Sequence, residues 1–564
     1  VPVEELIMAD LVDALIQERL FGFGEMPPAG FNGAERWLSV RCRAGCVVRV
    51  RVRRATALQP YRFARGPVLC GVRELAPHEL LGLLAGDGEP CAEHICADLR
   101  SATEHARVTL AARHDLVPEP GDLLASERLA ATRGRPFHPT ARAAAGWTAD
   151  ELSKYGPMRR EPLGLDWLAV RSDRVCLGAG AGGDQLASLL LDARDAAALG
   201  DRAAALDGER CLLPVHPWQA EHVLPTAFGA ELRSGCMRFV ARGVGRFHPT
   251  ASLRTLAAPD PVLHVKLPLA IATLGATRLL PPHYLRNGER AEELMRALVE
   301  RDPVLRRRAV LCDERTWCGW SDSEFAPRAG QLAAQLRRYP RDVFEQPGTL
   351  IIGMAALAAH EWKTLGPAIR GDLDPVWFFA KLARAFAETA LSFLRYGVMP
   401  ELHGQNVLVV LRDGVPWRFV LRDHDTLRLH KPWMEAAGVA DPGYRIRPGA
   451  AQSLLLDRGE DLVGYLQTLG MQVNLYAIAD ALSRHNGVAE DVFWEQQRLA
   501  VTGCLRDLDL PAWTERIVRE QLLRAPTWPS RQILAPLLAQ GSSAGVSMPA
   551  TTGSVRNPLL TEAR

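Results

Sequence analysis

A chain of 564 residues is too long for one ordinary hydrophobic core, and its length implies roughly two to four packed units. Hydrophobic residues make up 48% and charged residues 23%, and 67 Lys and Arg against 65 Asp and Glu leave a net charge of +2. That balance suits a globular fold and supplies no global attraction to nucleic acid or to a membrane surface.

The chain opens with VPVEELIMADLVDALIQERLFGFG, which reads as an amphipathic helix carrying acids rather than as a basic signal sequence. No apolar run reaches the ~18 residues of a membrane span, so a cytoplasmic location is expected. Arg49, Arg51 and Arg53 alternate with Val48, Val50 and Val52, which places the arginines on one solvated face of a strand. The run Arg306, Arg307 and Arg308 is expected on a solvated face as well. Eleven cysteines include no C-x-x-C, and the pairs Cys42/Cys46, Cys91/Cys96 and Cys312/Cys318 match neither a zinc site nor a disulfide framework. They are expected to be reduced and mostly buried.

Gly and Pro in SERLAATRGRPFHPTARAAAGWT mark a first boundary, giving an N-terminal α/β unit over residues 1–130. A mixed α/β unit follows over 131–345. In it LDWLAVRSDRVCLGAG predicts a hairpin, DQLASLLLDARDAAALGDRAAAL helix, and CMRFVARGVG and PVLHVKLPLAIATL further strands. Gly178, Gly180 and Gly183 follow a strand and precede a helix, as a dinucleotide fingerprint requires, but no βαβ continuation and no marked ribose-binding acid accompany them. No Walker motif or G-x-S-x-G elbow occurs.

A mainly helical unit completes the chain over 346–564. Val376, Phe379, Leu382, Phe386, Ala390, Leu391 and Leu394 predict a buried helix from Pro375 to Tyr396 that stops at Gly397 and Pro400. The stretch GSSAGVSMPATTGS is poor in large apolar residues and reads as mobile, with VRNPLLTEA able to dock again after it.

The chemistry concentrates in two segments. In MPELHGQNVLVVLRDGVPWRFVLRDHD, Val407–Leu411 and Trp417–Leu421 read as strands joined by a turn at Asp413-Gly414. Antiparallel pairing then brings Glu401, His403, Gln405 and Asn406 to the same end as Asp423, His424 and Asp425. Carboxylates with an amide oxygen are the hard donors that Mg²⁺ shares with nucleotide phosphates, and protein kinases use a comparable Asn and Asp. In RFHPTASLRTLAAPDPVLHVKLPLAIATLGATRLLPP, Ser252, Arg254 and Thr255 offer hydroxyls and a guanidinium at a chain reversal. Lys266 lies inside an apolar strand, where a charge needs an anionic partner such as a polyphosphate. Only five lysines occur (Lys154, Lys266, Lys363, Lys381 and Lys431), so a lysine at this place calls for a reason. Arg278 can fork onto a phosphate or a carboxylate. His138, between prolines, and His216 with Trp218 fit structural roles on their local context alone.

The ordered motifs GRPFHP, HPWQ, HPTASLRTL, HVKL, ELHGQN…RDHD, PSRQILAPLL and NPLL resemble the NRPS-independent siderophore synthetases of the IucA/IucC family, the family of the aerobactin and achromobactin synthetases. The resemblance implies an α+β multidomain fold of thumb, fingers and kinase-like palm, corresponding to 1–130, 131–345 and 346–564. It implies an ATP- and Mg²⁺-dependent ligase that adenylates citrate or another carboxylate, releases pyrophosphate and transfers the acyl group to an amine or alcohol. Ser252, Arg254, Thr255, Lys266 and Arg278 match the family's nucleotide contacts from the fingers. Glu401, His403, Gln405, Asn406, Asp423 and Asp425 match those of the palm, with Asn406, Asp423 and Asp425 as metal ligands. His138 matches the histidine near the carboxylate substrate, and the implied catalytic set is His138, Arg254, Lys266, Arg278 and His403. A homodimer with no nucleic-acid or membrane partner is implied too. The chain departs from the family's first loop, with Arg135 at a usual His, Arg142 at a Lys and Ala144 at an Arg, and Arg531 stands at a frequent substrate-binding lysine. A kinase-like phosphotransferase uses the same Asn406 and Asp423 logic, and a silent siderophore-binding scaffold is the reading from a different class.

Overall fold

The computed structural model describes residues 3–23, 35–42, 45–55, 57–114, 116–323, 325–449, 452–541 and 551–560, and all structural statements below concern these residues. Strands β1 (Arg36–Arg41), β2 (Val47–Arg54), β3 (Tyr61–Phe63), β4 (Leu69–Cys70) and β5 (Arg73–Glu74) form one sheet in the order β1-β2-β4-β5, with β3 also on β2. The alternation in β2 works as expected: Val48, Val50 and Val52 are fully buried while Arg49, Arg51 and Arg53 point outward. The inner face packs on helices Val3–Gln17, Pro77–Ala85 and Ala92–Ala111, and Leu534, Leu537 and Leu538 join the same core from the far end of the chain. Their helix, Leu534–Gln540, is capped by the Glu18 carboxylate, which accepts from the backbone N–H groups of Ile533, Leu534 and Ala535 at 2.7–2.9 Å.

The middle of the chain builds an eight-stranded sheet from β6 (Leu163–Arg171), β7 (Val175–Leu177), β8 (Arg210–Val215), β9 (Met237–Pro249), β10 (Thr255–Ala257), β11 (Leu263–Lys266), β15 (Asp313–Trp320) and β16 (Ala333–Arg338), in the order β7-β15-β16-β11-β10-β9-β6-β8. A separate hairpin pairs β12 (Leu269–Thr273) with β13 (Ala276–Arg278), while β14 (Ala309–Leu311) belongs to a later sheet. The hairpin expected from LDWLAVRSDRVCLGAG does not form. The helical turn Ser172–Arg174 redirects the chain, so β6 pairs with β8 and β9, and β7 with β15. Gly178, Gly180 and Gly183 have a packing reason: a Cβ at these positions would lie 2.3 Å from Arg315 O, 2.6 Å from Arg315 C and 2.7 Å from Trp317 O, which leaves room only for glycine beside β15.

The last sheet is β14-β20-β19-β17, from β17 (Thr349–Gly353), β19 (Val407–Arg412) and β20 (Val415–Leu421) with β14 parallel to β20. Short pairs join β18 (Val398–Met399) to β21 (Arg428–Leu429), and β22 (Thr527–Gln532) to β23 (Thr551–Arg556). Asp413 and Gly414 both have positive φ, 51° and 77°, as the expected two-residue hairpin turn requires. Helix Pro375–Leu394 starts at the Asp374 cap and buries Phe378, Phe379, Leu382, Phe386, Leu391, Phe393 and Leu394 against this sheet and the C-terminal helices. Core membership does not follow chain order, since Leu129 and Ala130 of helix Leu124–Arg133 pack in this C-terminal core. A small core of Leu123, Val262, Tyr339, Ile351, Leu408 and Val420 joins the last sheet to the middle one.

Two further expectations change. Of the stretch GSSAGVSMPATTGS, residues 542–550 lie outside the described residues, but Thr551–Arg556 is strand β23, and Val555 and Leu559 are buried as a redocking segment requires. In the run 306–308, Arg306 and Arg307 are exposed, whereas Arg308 donates to the buried Glu388 carboxylate (2.7 Å) and to Trp417 O (2.7 Å). All eleven cysteines are free thiols.

Candidate active site

A cavity of about 1190 Å³ opens where the middle sheet meets the C-terminal sheet. Ser252, Leu253 and Arg254 make the tight reversal from β9 into β10. Leu253 takes a left-handed φ of 65°, and the Ser252 hydroxyl accepts from Thr255 N–H at 3.2 Å. Arg254 donates to Leu279 O at 2.6 Å. Arg278 closes the β12–β13 hairpin by donating to Thr273 O at 2.6 Å and to its hydroxyl. Burial, with Arg254 and Arg135 nearby, lowers the Arg278 guanidinium to about 9.

Lys266 is 3% exposed and pairs with Asp423 across the cavity. Arg337, from β16 next to β11, stands 2.9 Å from the same Asp423 oxygen. Burial alone would raise Asp423, but Lys266 and Arg337 outweigh it and hold the carboxyl well below the usual range. Asp425 faces the opposite balance: burial, with Asp423 beside it, raises its carboxyl despite Lys266.

Glu401 is the hub on the other wall. Its carboxylate accepts from Asn406 Nδ2 (3.2 Å), Thr426 Oγ1 (3.1 Å) and Arg428 (3.2 Å), with His403 Nε2 at 3.6 Å. Burial would raise Glu401, yet His403, Arg428 and Arg531 hold it well below the usual range. The loop 401–406 is braced by Asn474, 2% exposed, which donates to Leu402 O at 2.9 Å from a π-helical stretch, Leu466–Leu475. Gln405 is exposed on the rim.

The cavity wall therefore carries Ser252, Arg254, Thr255, Lys266, Arg278, Glu401, His403, Gln405, Asn406, Asp423 and Asp425 together. Two expected neighbours stand elsewhere. His424 turns inward, 3% exposed, with its ring 3.0 Å from Cys312 O. His138 is fully buried, its Nε2 has no hydrogen-bond partner, and burial, with Arg135, Arg531 and Arg278 beside it, keeps the imidazole far below its usual value and neutral at pH 7. His216 is also fully buried, packs on Trp147 and Tyr155, and accepts from Trp218 N–H at its Nδ1 (3.2 Å), as its local context suggests. Arg135 and Arg531 line the cavity, and Arg142, also on its wall, donates to Thr132 O at 3.3 Å.

Arg337, Glu314 and Arg428 escaped the sequence reading. Arg337 and Glu314 carry the signal that singled out Lys266, a charge inside a strand otherwise built for burial, in QLAAQLRRYP and LCDERTWCGW. No group of three or more acidic, His or Cys side chains that could hold a metal stands among the described residues. Asp423, Asp425 and the Asn406 amide supply the partial oxygen set that Mg²⁺ completes with phosphate and water, so the residues fit such an ion.

The model of the IucA/IucC family matches residues 122–359, and that of a "Ferric iron reductase FhuF-like transporter" matches 377–544. Staphyloferrin B synthase of Staphylococcus aureus is 35% identical over 458 residues, which is 79% of this chain and 78% of that protein. The crystal structure of the petrobactin biosynthesis protein AsbB from Bacillus anthracis aligns with a TM-score of 0.84 at 17% identity over 99% of this chain and 95% of that one. ATP-bound aerobactin synthetase IucA from Klebsiella pneumoniae aligns with a TM-score of 0.73 at 16% identity over 99% and 100%. At these identities the structural likeness concerns the fold. No described helix is long and apolar enough to cross a membrane.

Proposed function

Because this chain belongs to the IucA/IucC family, we propose that it is an ATP-dependent siderophore synthetase that condenses a citrate-like carboxylate with an amine or alcohol. The observation that carries the reading is the meeting, across one cavity, of Lys266, Arg254, Arg278 and Arg337 with Asp423, Asp425, Asn406 and Glu401. A carboxylate oxygen attacks the α-phosphorus of ATP, the bond to the β-phosphate breaks, and pyrophosphate leaves with the electron pair. The amine or hydroxyl then attacks the acyl carbon, AMP departs, and the nucleophile's proton passes to solvent or a nearby base.

The first step brings two anions together, and fixed cations lower its barrier because charge builds on the phosphate oxygens. In this reading Lys266, Arg254 and Arg278 meet those oxygens, and Arg135 and Arg531 meet carboxylates of the acid. His138, neutral and fully buried off the cavity wall beside Arg135 and Arg531, is assigned no contact with the acyl group. Mg²⁺ bound at Asp423, Asp425 and Asn406 would neutralise phosphate charge. A thumb, fingers and kinase-like palm is the layout we assign to the three parts of the chain, and the cytoplasm, where ATP is supplied, is the assigned compartment.

Asp423→Asn removes one anionic ligand and the ion-pair partner of Lys266 and Arg337, and is expected to abolish acid-dependent pyrophosphate release in protein that still folds, at a lowered melting temperature. Near-normal release would remove Asp423 from the metal site. The product itself separates this reading from a kinase-like phosphotransferase, which releases ADP instead. We also assign a homodimer, on the general preference for two-fold assembly. Sedimentation at micromolar concentration should give twice 61.9 kDa, and a single species at 61.9 kDa contradicts it.

A further inference from the structure

Asp423 occupies a left-handed conformation, φ 64° and ψ 68°. That region costs up to roughly 1–2 kcal/mol for a residue with a Cβ, less for Asp than for most, and contacts around the turn help to hold it. The group facing the backbone of the turn is Glu314, 4% exposed on β15. Both its carboxylate oxygens accept from Asp423 N–H at 3.1 Å, and Oε2 stands 3.4 Å from His424 N–H. Glu314 is in turn held by Arg337, which donates to it through Nε and reaches Asp423 with its other arm at 2.9 Å. Lys266, Arg337 and Glu314 come from β11, β16 and β15, three adjacent inner strands, so one part of the sheet grips both the backbone and the side chain of Asp423. The helix Pro282–Arg301 closes the far side, where Glu292 accepts from Glu314 N–H at 2.8 Å and Gly288 lies against Asp425.

We infer that Glu314 is a positioning residue for metal binding: through two backbone N–H groups and the shared Arg337 it fixes the turn that aims Asp423 into the cavity. This rests on reading Asp423 as a metal ligand. Glu314 itself does not line the cavity. It acts by holding a strained turn whose relaxation would swing the Asp423 carboxylate away from Asp425 and Asn406. A carboxylate is required for this, since a neutral side chain would accept more weakly and would leave Arg337 with Asp423 alone, drawing that acid toward the guanidinium.

The test is binding of Mn²⁺, followed by electron paramagnetic resonance, to the full-length chain holding a non-hydrolysable ATP analogue. Outer partners of metal ligands typically alter affinity about 10- to 100-fold. Glu314→Gln should weaken Mn²⁺ at least about tenfold, while affinity for the analogue without metal stays within about twofold. Arg337→Lys, which keeps the charge and loses the fork, should fall between Glu314→Gln and the unaltered protein. Glu314→Asp, which keeps the charge and withdraws it by one methylene, is measured as well, so that an unfolded Gln variant does not end the test, and it should weaken Mn²⁺ by a smaller factor. Unchanged Mn²⁺ affinity in the folded Glu314 variants, with Asp423→Asn defective, overturns the positioning role. Unchanged affinity in Asp423→Asn as well overturns the metal reading beneath it.

Discussion

Lys266→Ala is expected to raise the KM for ATP and to slow adenylation, with a combined loss of roughly 2–4 kcal/mol in transition-state stabilisation, the scale of one preorganised electrostatic contact. The ion pair with Asp423 sharpens this expectation. Removing the ammonium does not leave Asp423 alone, because Arg337 stands 2.9 Å away and Arg254 adds to the same field. The fall in melting temperature should therefore be modest, and the loss should appear in nucleotide kinetics. Lys266→Arg should fail too. Lys266 is 3% exposed and faces Asp423 as a compact point charge, which a longer and wider planar fork does not replace on a phosphate. Steady-state kinetics and thermal unfolding of Lys266→Ala decide the matter: a large stability loss with normal ATP kinetics in the folded fraction would reduce Lys266 to a structural partner of Asp423.

Arg62→Met is expected to destabilise the protein by about 3–5 kcal/mol at pH 7, the scale for stranding buried charge. Arg62, 3% exposed on β3, donates to Asp13 (3.0 Å), Asp480 (2.7 Å) and Glu490 (3.2 Å) and to the Tyr476 hydroxyl (3.0 Å). One guanidinium thus ties the N-terminal sheet to two C-terminal helices. Burial would raise Asp480, but Arg62, Arg484 and His360 hold it well below the usual range, and Arg62 lowers Glu490 likewise against its burial. The sign follows from those directions. Depressed carboxyls contribute stability above their unfolded values, near 4, and that contribution is lost as pH falls through the folded ones. In Arg62→Met the two acids lose the largest of the charges that lower them, keep only Arg484 and Arg53 as cations, and rise, so the variant's deficit should shrink between pH 7 and pH 5 as they take up protons. Urea unfolding of both proteins at the two pH values checks this, and a deficit below about 1 kcal/mol that does not vary with pH would show the network to be dispensable.

Most of the candidate site was legible because its signals are local. The Asp413-Gly414 turn, a lysine in an apolar strand and polar clusters at both ends of one hairpin are visible within a few dozen residues, and antiparallel pairing does the rest. Partners chosen by the tertiary fold were not legible. Nothing near LDWLAVRSDRVCLGAG says that its strands will each prefer other neighbours, and nothing near Glu314 says that it will meet the N–H of a residue 109 positions later. His424 shows the same limit from the other side. Next to Asp423 in sequence, it points the opposite way because the left-handed turn separates the two side chains.

The return of Leu534–Gln540 to the first core gives this protein an unusual order of assembly on the ribosome. At about 5–20 residues per second, synthesis of the stretch between helix Ala92–Ala111 and Leu534 takes on the order of 20 s to a minute and a half. Through that interval the emerging N-terminal segment lacks Leu534, Leu537 and Leu538, and the Glu18 carboxylate that will cap their helix has nothing to cap. The nascent chain therefore presents an unfilled apolar seat beside helix Ala92–Ala111 until helix Leu534–Gln540 has emerged, and such exposed hydrophobic surface is what chaperones shield.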